Sequence, residues 1–345
     1  MVIDANMYWF PEEVFLNDQL MKAFLAEIPN VNDVHGYETT IENTNRKQIV
    51  IEKPIGYPSL NYAQGDYVLM QQLMDMDKAG FEKSILKIPG CFEWLTLDLC
   101  KIFNDGMANH VKQSKGRMNA LAVVPPMGTP ECIYELERCT DDLGMTGLQL
   151  GSHYGTSYLD DERFSSFFRK VNQLELTVYV HHSPVPVQFD SICEFNNLRR
   201  QYGRCMDQAI AVGRELFSGF FEKYPNIKLV HSMLGGGFFT YINMLFPAMP
   251  TKKEDVGRFE SGNKSIREQI QNNLFFEMSQ GQSWGKAQLE CAVSVLGADH
   301  IIFGTSYPVK REWLLEGANF VKQLDISDED KDLILAKNAQ RIYQV

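Results

Sequence analysis

The sequence predicts an α/β fold in which strands and helices alternate, and most simply a (β/α)8 TIM barrel. Eight short apolar runs rich in β-branched residues follow one another along the chain, and longer amphipathic stretches separate them. With 345 residues, of which 44% are hydrophobic, the chain can build one large domain of this kind over residues 1–345. An open, doubly wound sheet is the alternative architecture.

Each run has the length of a barrel strand. Its nearly continuous apolar sequence is typical of parallel strands that are covered on both faces. The active site of such a barrel lies at the C-terminal ends of the strands. In chain order, the predicted strands are Met1–Met7, Ser84–Ile88, Met118–Val124, Gly147–Leu150, Leu176–His181, Ile227–Met233, Leu274–Met278 and His300–Gly304.

The connections between the predicted strands differ in length. Residues 10–72 are rich in Pro, Asn and Gly, which predicts an insertion or lid after strand one. Long loops are also predicted after strand five, at residues 183–197, and after strand six, at residues 247–264. Loops of this length commonly serve as lids or oligomer contacts. Between strands three and four, a helix is predicted to begin at Pro130 and to end before Gly144.

Composition limits the partners and the compartment. The formal net charge of −11 argues against nucleic acid or an anionic membrane as a partner, because both require a concentrated positive surface. A small molecule is the expected partner. The seven cysteines are scattered without a CxxC pair, which indicates neither a disulfide framework nor a zinc knuckle. We recognise no signal peptide or long apolar span, so the cytoplasm is the expected location.

Polar side chains gather at the predicted C-terminal ends of the strands, where a barrel binds its substrate. In strand one, Asp4, Asn6 and Tyr8 alternate along the chain and should share one face that points into the barrel mouth. The candidates that follow or end later strands are His153, His181, His182, His231, Met233, Glu277 and Ser306.

Segments along nearly the whole chain carry a family pattern. The first strand, Ile3–Tyr8, and the last, Phe303–Pro308, are similar to the family's Ile-Asp-x-His-x-His and Phe-Gly-Thr-Asp-Tyr-Pro sequences. Further matches lie at residues 79–86, 142–150, 159–164, 218–230 and 337–341. Together they resemble the amidohydrolase-2 group, typified by aminocarboxymuconate-semialdehyde decarboxylase and gamma-resorcylate decarboxylase. The resemblance implies an amidohydrolase-like barrel and a homodimer.

The resemblance also implies five ligands for a catalytic zinc or manganese ion, and four of these positions are substituted. The two histidine positions of strand one are Asn6 and Tyr8, the histidine position of strand six is Met233, and the aspartate position of strand eight is Ser306. Only His181 is retained. Because amide, phenol and thioether groups are poor replacements for imidazole and carboxylate at zinc, we expect no metal cofactor of the family type.

The leading hypothesis is an enzyme that acts on a small aromatic or enolisable carboxylic acid. Decarboxylation or a related lyase reaction is expected, by acid–base chemistry without the family's metal. We expect His181 or His182 to act as acid or base, and Glu277 to orient them. Tyr8 or Ser306 would donate a hydrogen bond to the substrate. Glu277 is equally well interpreted as an acid or base in its own right.

His231 completes the expected catalytic set, because it lies two residues before Met233 and could point inward one pleat deeper. Substrate contacts are expected from Asp4, Asn6, Trp9, His153, Met233 and Ser306. His153 is interpreted more readily as a loop histidine bonded to the backbone. Aromatic residues near the mouth would suit a flat ring substrate: Tyr8, Trp9, Phe10, Trp94 and Trp284. For Trp94 and Trp284, ordinary packing is the favoured interpretation.

Two other functions remain open. The first is a non-catalytic barrel that binds a small acid or pairs with an active paralogue, since a fold does not guarantee its chemistry. The second is a metal-dependent hydrolase or decarboxylase with a rearranged site. That site would draw on His181, His182, His231 and either Asp4 or Glu277.

Overall fold

The computed structural model describes residues 1–29, 34–53, 55–183, 186–187, 190–192, 194–246 and 263–345. Part of the loop predicted at residues 183–197 and most of the loop predicted at residues 247–264 lie outside these ranges. The strands, in chain order, are β1 Ile3–Tyr8, β2 His35–Thr40, β3 Lys47–Glu52, β4 Pro58–Ala63, β5 Lys83–Lys87, β6 Met118–Ala120, β7 Ala122–Val123, β8 Leu148–Gly151, β9 His153–Tyr154, β10 Ser157–Tyr158, β11 Thr177–His181, β12 Lys228–His231, β13 Leu274–Gln280 and β14 Ile301–Gly304.

Parallel pairing arranges the barrel strands in the order of the chain. β5 lies between β1 and β6, and a second sheet runs β7, β8, β11, β12, β13, β14. Leu121 joins the two sheets. Its amide donates to the Leu86 carbonyl in the first sheet, and the amide of Ala122 donates to the Gly147 carbonyl just before β8 of the second. At the other seam, the Ser306 amide donates to the Asn6 carbonyl at 2.8 Å. The first and last strands therefore meet, and the barrel prediction is confirmed.

All eight predicted strand runs overlap a strand of the barrel, and helices fill most of the intervals between them. The helix predicted at Pro130 begins there, and the Thr129 hydroxyl caps it by accepting from the Cys132 amide. The helices of nine or more residues are Asp18–Glu27, Leu69–Ala79, Leu97–Gln113, Pro130–Asp141, Ser165–Gln173, Gly203–Phe217, Asn263–Asn273, Lys286–Leu296 and Arg311–Lys322. Shorter helices are Glu13–Leu16, Phe220–Lys223, Ile242–Leu245, Gly281–Trp284, Asp328–Asp332 and Asn338–Tyr343.

The barrel has a small inner core that is separate from the large core between strands and helices. Its buried members are Ile3, Ala5, Ile85, Leu121, Tyr179, Val230, Phe275, Ile302, Ala336, Ala339, Ile342 and Tyr343. The strand residues in this inner cluster point into the barrel, and the last four members belong to the C-terminal segment that packs against them. This cluster identifies which face of each strand is the inner face.

The described part of the predicted insertion at residues 10–72 contains the helices Glu13–Leu16 and Asp18–Glu27, a three-stranded antiparallel sheet in the order β2, β3, β4, and the start of the helix Leu69–Ala79. Ser59 and Leu60 of β4 reach the cavity described below, so the insertion contributes to its wall. Its role as a lid stays a prediction. In the described part of the chain, no helix combines the length and the apolar character needed to cross a membrane.

Candidate active site

A cavity of about 630 Å3 lies where the strand ends, the insertion and the helix Gly203–Phe217 meet. Four of the predicted site residues line it: Tyr8, His182, Met233 and Ser306. Its walls combine apolar and polar side chains. The apolar part comes from Leu60, Pro89, Trp284, Val309 and Trp313, and the polar part includes Ser59, Arg200, Arg204, Ser279 and Gln280. Trp284, for which ordinary packing was favoured, packs against the core and also lines the cavity.

Tyr8 and His181 form a buried hydrogen-bonded pair at one side of this cavity. The His181 Nδ1 lies 2.7 Å from the His182 carbonyl oxygen, which can only accept, so Nδ1 carries a proton. Burial lowers the pKa of His181 to about 3, so the imidazole is neutral and Nε2 has a free lone pair. The Tyr8 hydroxyl, 3.0 Å from Nε2, therefore donates to His181. Burial raises the pKa of Tyr8 to about 12, so the phenol is protonated when no substrate is bound.

His182 lines the cavity, whereas the preceding residue, His181, does not. Its ring stacks on the His181 ring, with centroids 4.0 Å apart. Burial, and then the neighbouring His181, lower its pKa well below the ordinary value, so it is neutral as well. Within the described residues, its Nδ1 is buried without a hydrogen-bond partner. The cavity wall therefore includes a neutral imidazole whose Nδ1 is buried and makes no hydrogen bond to a described residue.

Glu277 lies deeper and acts as a hydrogen-bond acceptor. Its Oε2 accepts from Asn6 Nδ2 at 3.2 Å and from the Tyr179 hydroxyl at 2.8 Å. Ser279 donates its amide proton to Oε1 and its hydroxyl proton to Oε2. Burial raises the pKa of Glu277 to about 6, against the opposing positive charge of Lys87. The residue orients Asn6 and Tyr179, whereas an interaction with histidine was expected. A side chain at Gly304 would overlap its carboxylate, which explains the glycine there.

Lys87 is a fully buried lysine inside the barrel that the sequence analysis did not single out. Its Nζ lies 3.3 Å from the centroid of the Tyr179 ring and donates to the Ala5 carbonyl. Burial lowers its pKa to about 7, although Glu277 and Asp4 act in the opposite direction. Its position at the end of an apolar strand is the feature of the sequence that could have identified Lys87.

The three strand-one candidates do not share one face as predicted. The pairing of β1 with β5 shifts register between Asp4 and Met7, so Ala5 belongs to the inner core while Tyr8 pairs with the inward Lys87. Asp4 instead accepts from the Thr305 amide at 3.0 Å and from its hydroxyl at 2.5 Å, which holds the last strand to the first. Asn6 donates to Glu277 and to Ser306. Neither Asp4 nor Asn6 lines the cavity.

His231 was expected to point inward, and that expectation is wrong. Its neighbour Val230 occupies the inner core, and adjacent strand residues point to opposite faces. His231 is fully buried on the outer face, with Nδ1 2.8 Å from Gln208 Oε1 and Nε2 2.7 Å from Glu215 Oε2. Both partners belong to the helix Gly203–Phe217. His231 therefore fastens that helix to the barrel and does not reach the substrate.

Two expected substrate contacts are also placed elsewhere. Trp9 is buried outside the barrel, tilted against the His110 ring with centroids 5.9 Å apart. His153 is buried with Nδ1 2.8 Å from the Gly155 carbonyl and Nε2 3.4 Å from Asp207 Oδ2, so it is the loop histidine bonded to the backbone. Neither side chain lines the cavity.

The cavity also has a cationic wall that the sequence analysis missed. Arg204 is 9% exposed and its Nη2 lies 3.4 Å from Ser59 Oγ, while Arg200 Nη2 lies 3.4 Å from the Ser59 carbonyl. Both guanidinium groups line the cavity. The four-residue spacing of Arg200 and Arg204, which places both on one helical face, could have revealed them.

Comparison with known proteins agrees with this architecture. A family model described as "Amidohydrolase" matches residues 92–259 and 268–345. The chain belongs to the amidohydrolase family. The predicted family resemblance is therefore confirmed.

Sequence relatives of this amidohydrolase include two decarboxylases. A 2-amino-3-carboxymuconate-6-semialdehyde decarboxylase from Dictyostelium discoideum is 26% identical over 251 residues, which cover 70% of this chain and 66% of that protein. A gamma-resorcylate decarboxylase from Rhizobium radiobacter is 24% identical over 323 residues, with 83% and 93% coverage. The structure of a dihydroxybenzoic acid decarboxylase from Polaromonas sp. JS666, with bound manganese and 2-nitroresorcinol, superposes with a TM-score of 0.69 at 19% identity, covering 99% of this chain and 96% of that one.

The metal that such a structure contains does not fit the donors found here. The Nε2 lone pair of His181 already accepts from Tyr8, and Asn6 offers one buried amide oxygen, which has no hydrogen-bond partner among the described residues. Met233 contributes a soft thioether and Ser306 a neutral hydroxyl, which zinc and manganese bind poorly. Over the described ranges, no three His, Cys, Asp or Glu side chains are grouped to hold a metal ion.

Proposed function

We propose that this amidohydrolase decarboxylates a small aromatic or enolisable carboxylic acid by proton transfer through its own side chains. The observation that carries the proposal is the Tyr8–His181 pair beside a cavity with aromatic and cationic walls. The sequence relatives that are decarboxylases support the reaction class. The family's ligand positions in strands one, six and eight hold Asn6, Tyr8, Met233 and Ser306, and the chemistry of these four side chains supports acid–base catalysis without the family's metal.

The direction of the Tyr8–His181 hydrogen bond suggests the proton path. A substrate hydroxyl in the cavity can pass its proton to the Tyr8 oxygen while the Tyr8 proton moves to His181 Nε2. The substrate oxygen then pushes its electron pair into the ring or enolate, and the carbon that bears the carboxylate takes the proton back through Tyr8. The bond to the carboxylate breaks, carbon dioxide leaves, and solvent supplies the proton that the product oxygen takes up.

The surrounding residues would position the two partners of this transfer. Glu277 holds Asn6 and Tyr179 in place below Tyr8, and the inward ammonium of Lys87 lies beside them. His182 presents an imidazole to the cavity, and Ser306 a hydroxyl. The tryptophan rings of Trp284 and Trp313 offer flat apolar surface for a ring.

The proposal is tested by measuring carbon dioxide release from a panel of hydroxybenzoic acids and enolisable keto acids. The Tyr8→Phe variant keeps the ring and loses the transferred proton, so turnover should fall by roughly 100-fold or more. The His181→Gln variant should fall similarly. Tyr67→Phe, a buried phenol outside the cavity lining, is the matched control and should keep its turnover.

Unchanged carbon dioxide release in both Tyr8→Phe and His181→Gln would overturn the proposed proton path. If the wild-type protein binds the acids without converting any of them, the non-catalytic barrel becomes the better interpretation. Mass spectrometry of the incubated acids distinguishes these results, because it detects unchanged ligand and product separately.

A further inference from the structure

A second cavity of about 500 Å3 lies beside the candidate active site. That volume falls within the range of small-molecule sites, about 300–1,000 Å3. Three residues, Gln201, Cys205 and Trp284, line both cavities, so the two adjoin along a common wall. Neither Tyr8 nor His181 lines the second cavity, and the proposed proton path therefore does not account for it.

The second cavity is apolar, unlike the first. Among the described residues that line it, none carries a charged side chain. The Thr240 hydroxyl donates to the Gly237 carbonyl at 2.9 Å, and the indole N–H of Trp284 donates to the Met278 carbonyl at 3.1 Å, so both donors are already used. The apolar part of its wall is formed by Tyr202, Met206, Ile210, Phe238, Tyr241 and Leu245.

Two glycines leave space on one side of the second cavity. Gly236 and Gly237 line it with φ of 66° and 81°, in the left-handed region that favours glycine. A side chain at Gly236 would overlap the Cys205 carbonyl. The backbone turn after β12 therefore lies directly against the helix Gly203–Phe217, and neither glycine fills the space with a side chain.

The outer part of the second cavity reaches the surface. Tyr202, Tyr241 and Leu245 are 52%, 47% and 39% exposed. Large apolar side chains grouped around an exposed hollow are typical of a site that binds an apolar group. Because this hollow adjoins the candidate active site, a ligand whose polar end lies beside Tyr8 can place an apolar substituent in it.

We infer that the second cavity takes an alkyl substituent of an aromatic acid whose ring occupies the first cavity. The inference deepens the proposed function, because it narrows the substrate class to alkyl-substituted aromatic acids, and it rests on the same site. The hydroxyl and the carboxylate stay among the polar groups of the first cavity, while the alkyl chain extends past Cys205 and Trp284. Each methylene group buried against the apolar wall should tighten binding by roughly threefold to fourfold.

The inference is tested by calorimetric binding of methyl, propyl and pentyl derivatives of 2-hydroxybenzoate, each substituted at every free ring position in turn. At the best position, the pentyl derivative should bind wild type at least roughly tenfold more tightly than the methyl derivative. Ala209 lines the second cavity, so Ala209→Leu fills it and should reduce that preference below about twofold. Gly213→Leu adds the same side chain to the same helix in open space, and as the matched control it should keep the preference.

Equal affinity for the methyl and pentyl derivatives in wild type would overturn the inference, as would a preference that persists in Ala209→Leu or a failure of every acid to bind. Equal affinity together with a change in sedimentation in Ala209→Leu would assign the cavity to an interface between copies of the chain, and would overturn it too. Thermal unfolding establishes that each variant is folded. If Ala209→Leu does not fold, Met206→Trp is measured in its place with the same expectation.

The same experiment separates this inference from the proposed function, because binding is measured without turnover. A preference for the pentyl derivative that depends on Ala209, without carbon dioxide release from any of the acids, would keep the second cavity as an alkyl site and refute the proposed reaction. Carbon dioxide release from wild type with equal affinities along the alkyl series would refute this inference alone.

Discussion

The ammonium of Lys87 lies 3.3 Å from the centroid of the Tyr179 ring, and Tyr179 donates its hydroxyl proton to Glu277. A basic side chain over the face of one ring and an acidic side chain at its hydroxyl are thus held together inside the barrel. Buried charges are costly unless they are compensated, so this arrangement is expected only where it serves function or specificity. Its position beneath Tyr8 and Asn6 connects it to the candidate site.

Replacing Lys87 with Met should change the pH dependence of activity. Glu277 must be ionised to accept from Asn6, Tyr179 and Ser279, so activity should rise with pH through the pKa of Glu277, about 6. The positive charge of Lys87 lowers that pKa, and its removal should move the acidic limb upward by roughly one pH unit. The measurement is kcat/KM against pH. Lys83→Met, at the start of the same strand, is the control, and an unmoved acidic limb would contradict this role.

Lys87 should also make the free energy of unfolding depend on pH. Its folded-state pKa is lowered to about 7 from the ordinary 10.5. Between these values the unfolded chain binds a proton that the folded protein does not. The contribution of Lys87 to the free energy of unfolding is therefore fully present above pH 10.5 and is lost as the pH falls towards 7. The free energy of unfolding should rise with pH by up to about 1.4 kcal/mol per unit in this window.

The comparison of wild type with Lys87→Met isolates this contribution, because the other titrating groups are common to both proteins. Urea unfolding at several pH values between 7 and 9.5 should give a steeper rise for wild type than for the variant. Parallel curves would show that the ammonium keeps its ordinary pKa inside the barrel.

Replacing His231 with Leu should affect stability and spare catalysis. The change leaves the buried Glu215 without its partner, which should lower the free energy of unfolding by roughly 3–5 kcal/mol. The double variant His231→Leu/Glu215→Leu should recover part of this loss, because it removes both buried polar groups. Chemical unfolding measures these energies, and turnover per folded molecule should stay within about twofold of wild type.

A stable His231→Leu protein with lost turnover would show instead that this histidine reaches the substrate. Temperature must be kept well below the unfolding midpoint of the variant during the assay, so that loss of folded protein is not taken for loss of chemistry. The exposed His35, replaced in the same way, is the control for a His→Leu change without buried partners.

The barrel could be predicted from the sequence because each strand is a nearly continuous apolar run between helical stretches. The site was harder to predict, since its geometry depends on register. A shift between Asp4 and Met7 places Tyr8 opposite Lys87 and turns Asp4 to the seam, and period-two alternation cannot reveal it. At the cationic wall, Arg204 contacts Ser59 of the insertion, and because these two residues are distant in sequence, only the folded chain brings them together.

Activity should survive dialysis against a chelator, and added zinc or manganese should raise it by no more than about twofold, because the one retained family ligand, His181, already accepts from Tyr8. Elemental mass spectrometry of the same samples measures the metal content alongside turnover. Stoichiometric metal whose removal abolishes turnover would contradict the proposed chemistry. In that case Tyr8→Phe, which frees His181 Nε2, should bind the metal more tightly than wild type.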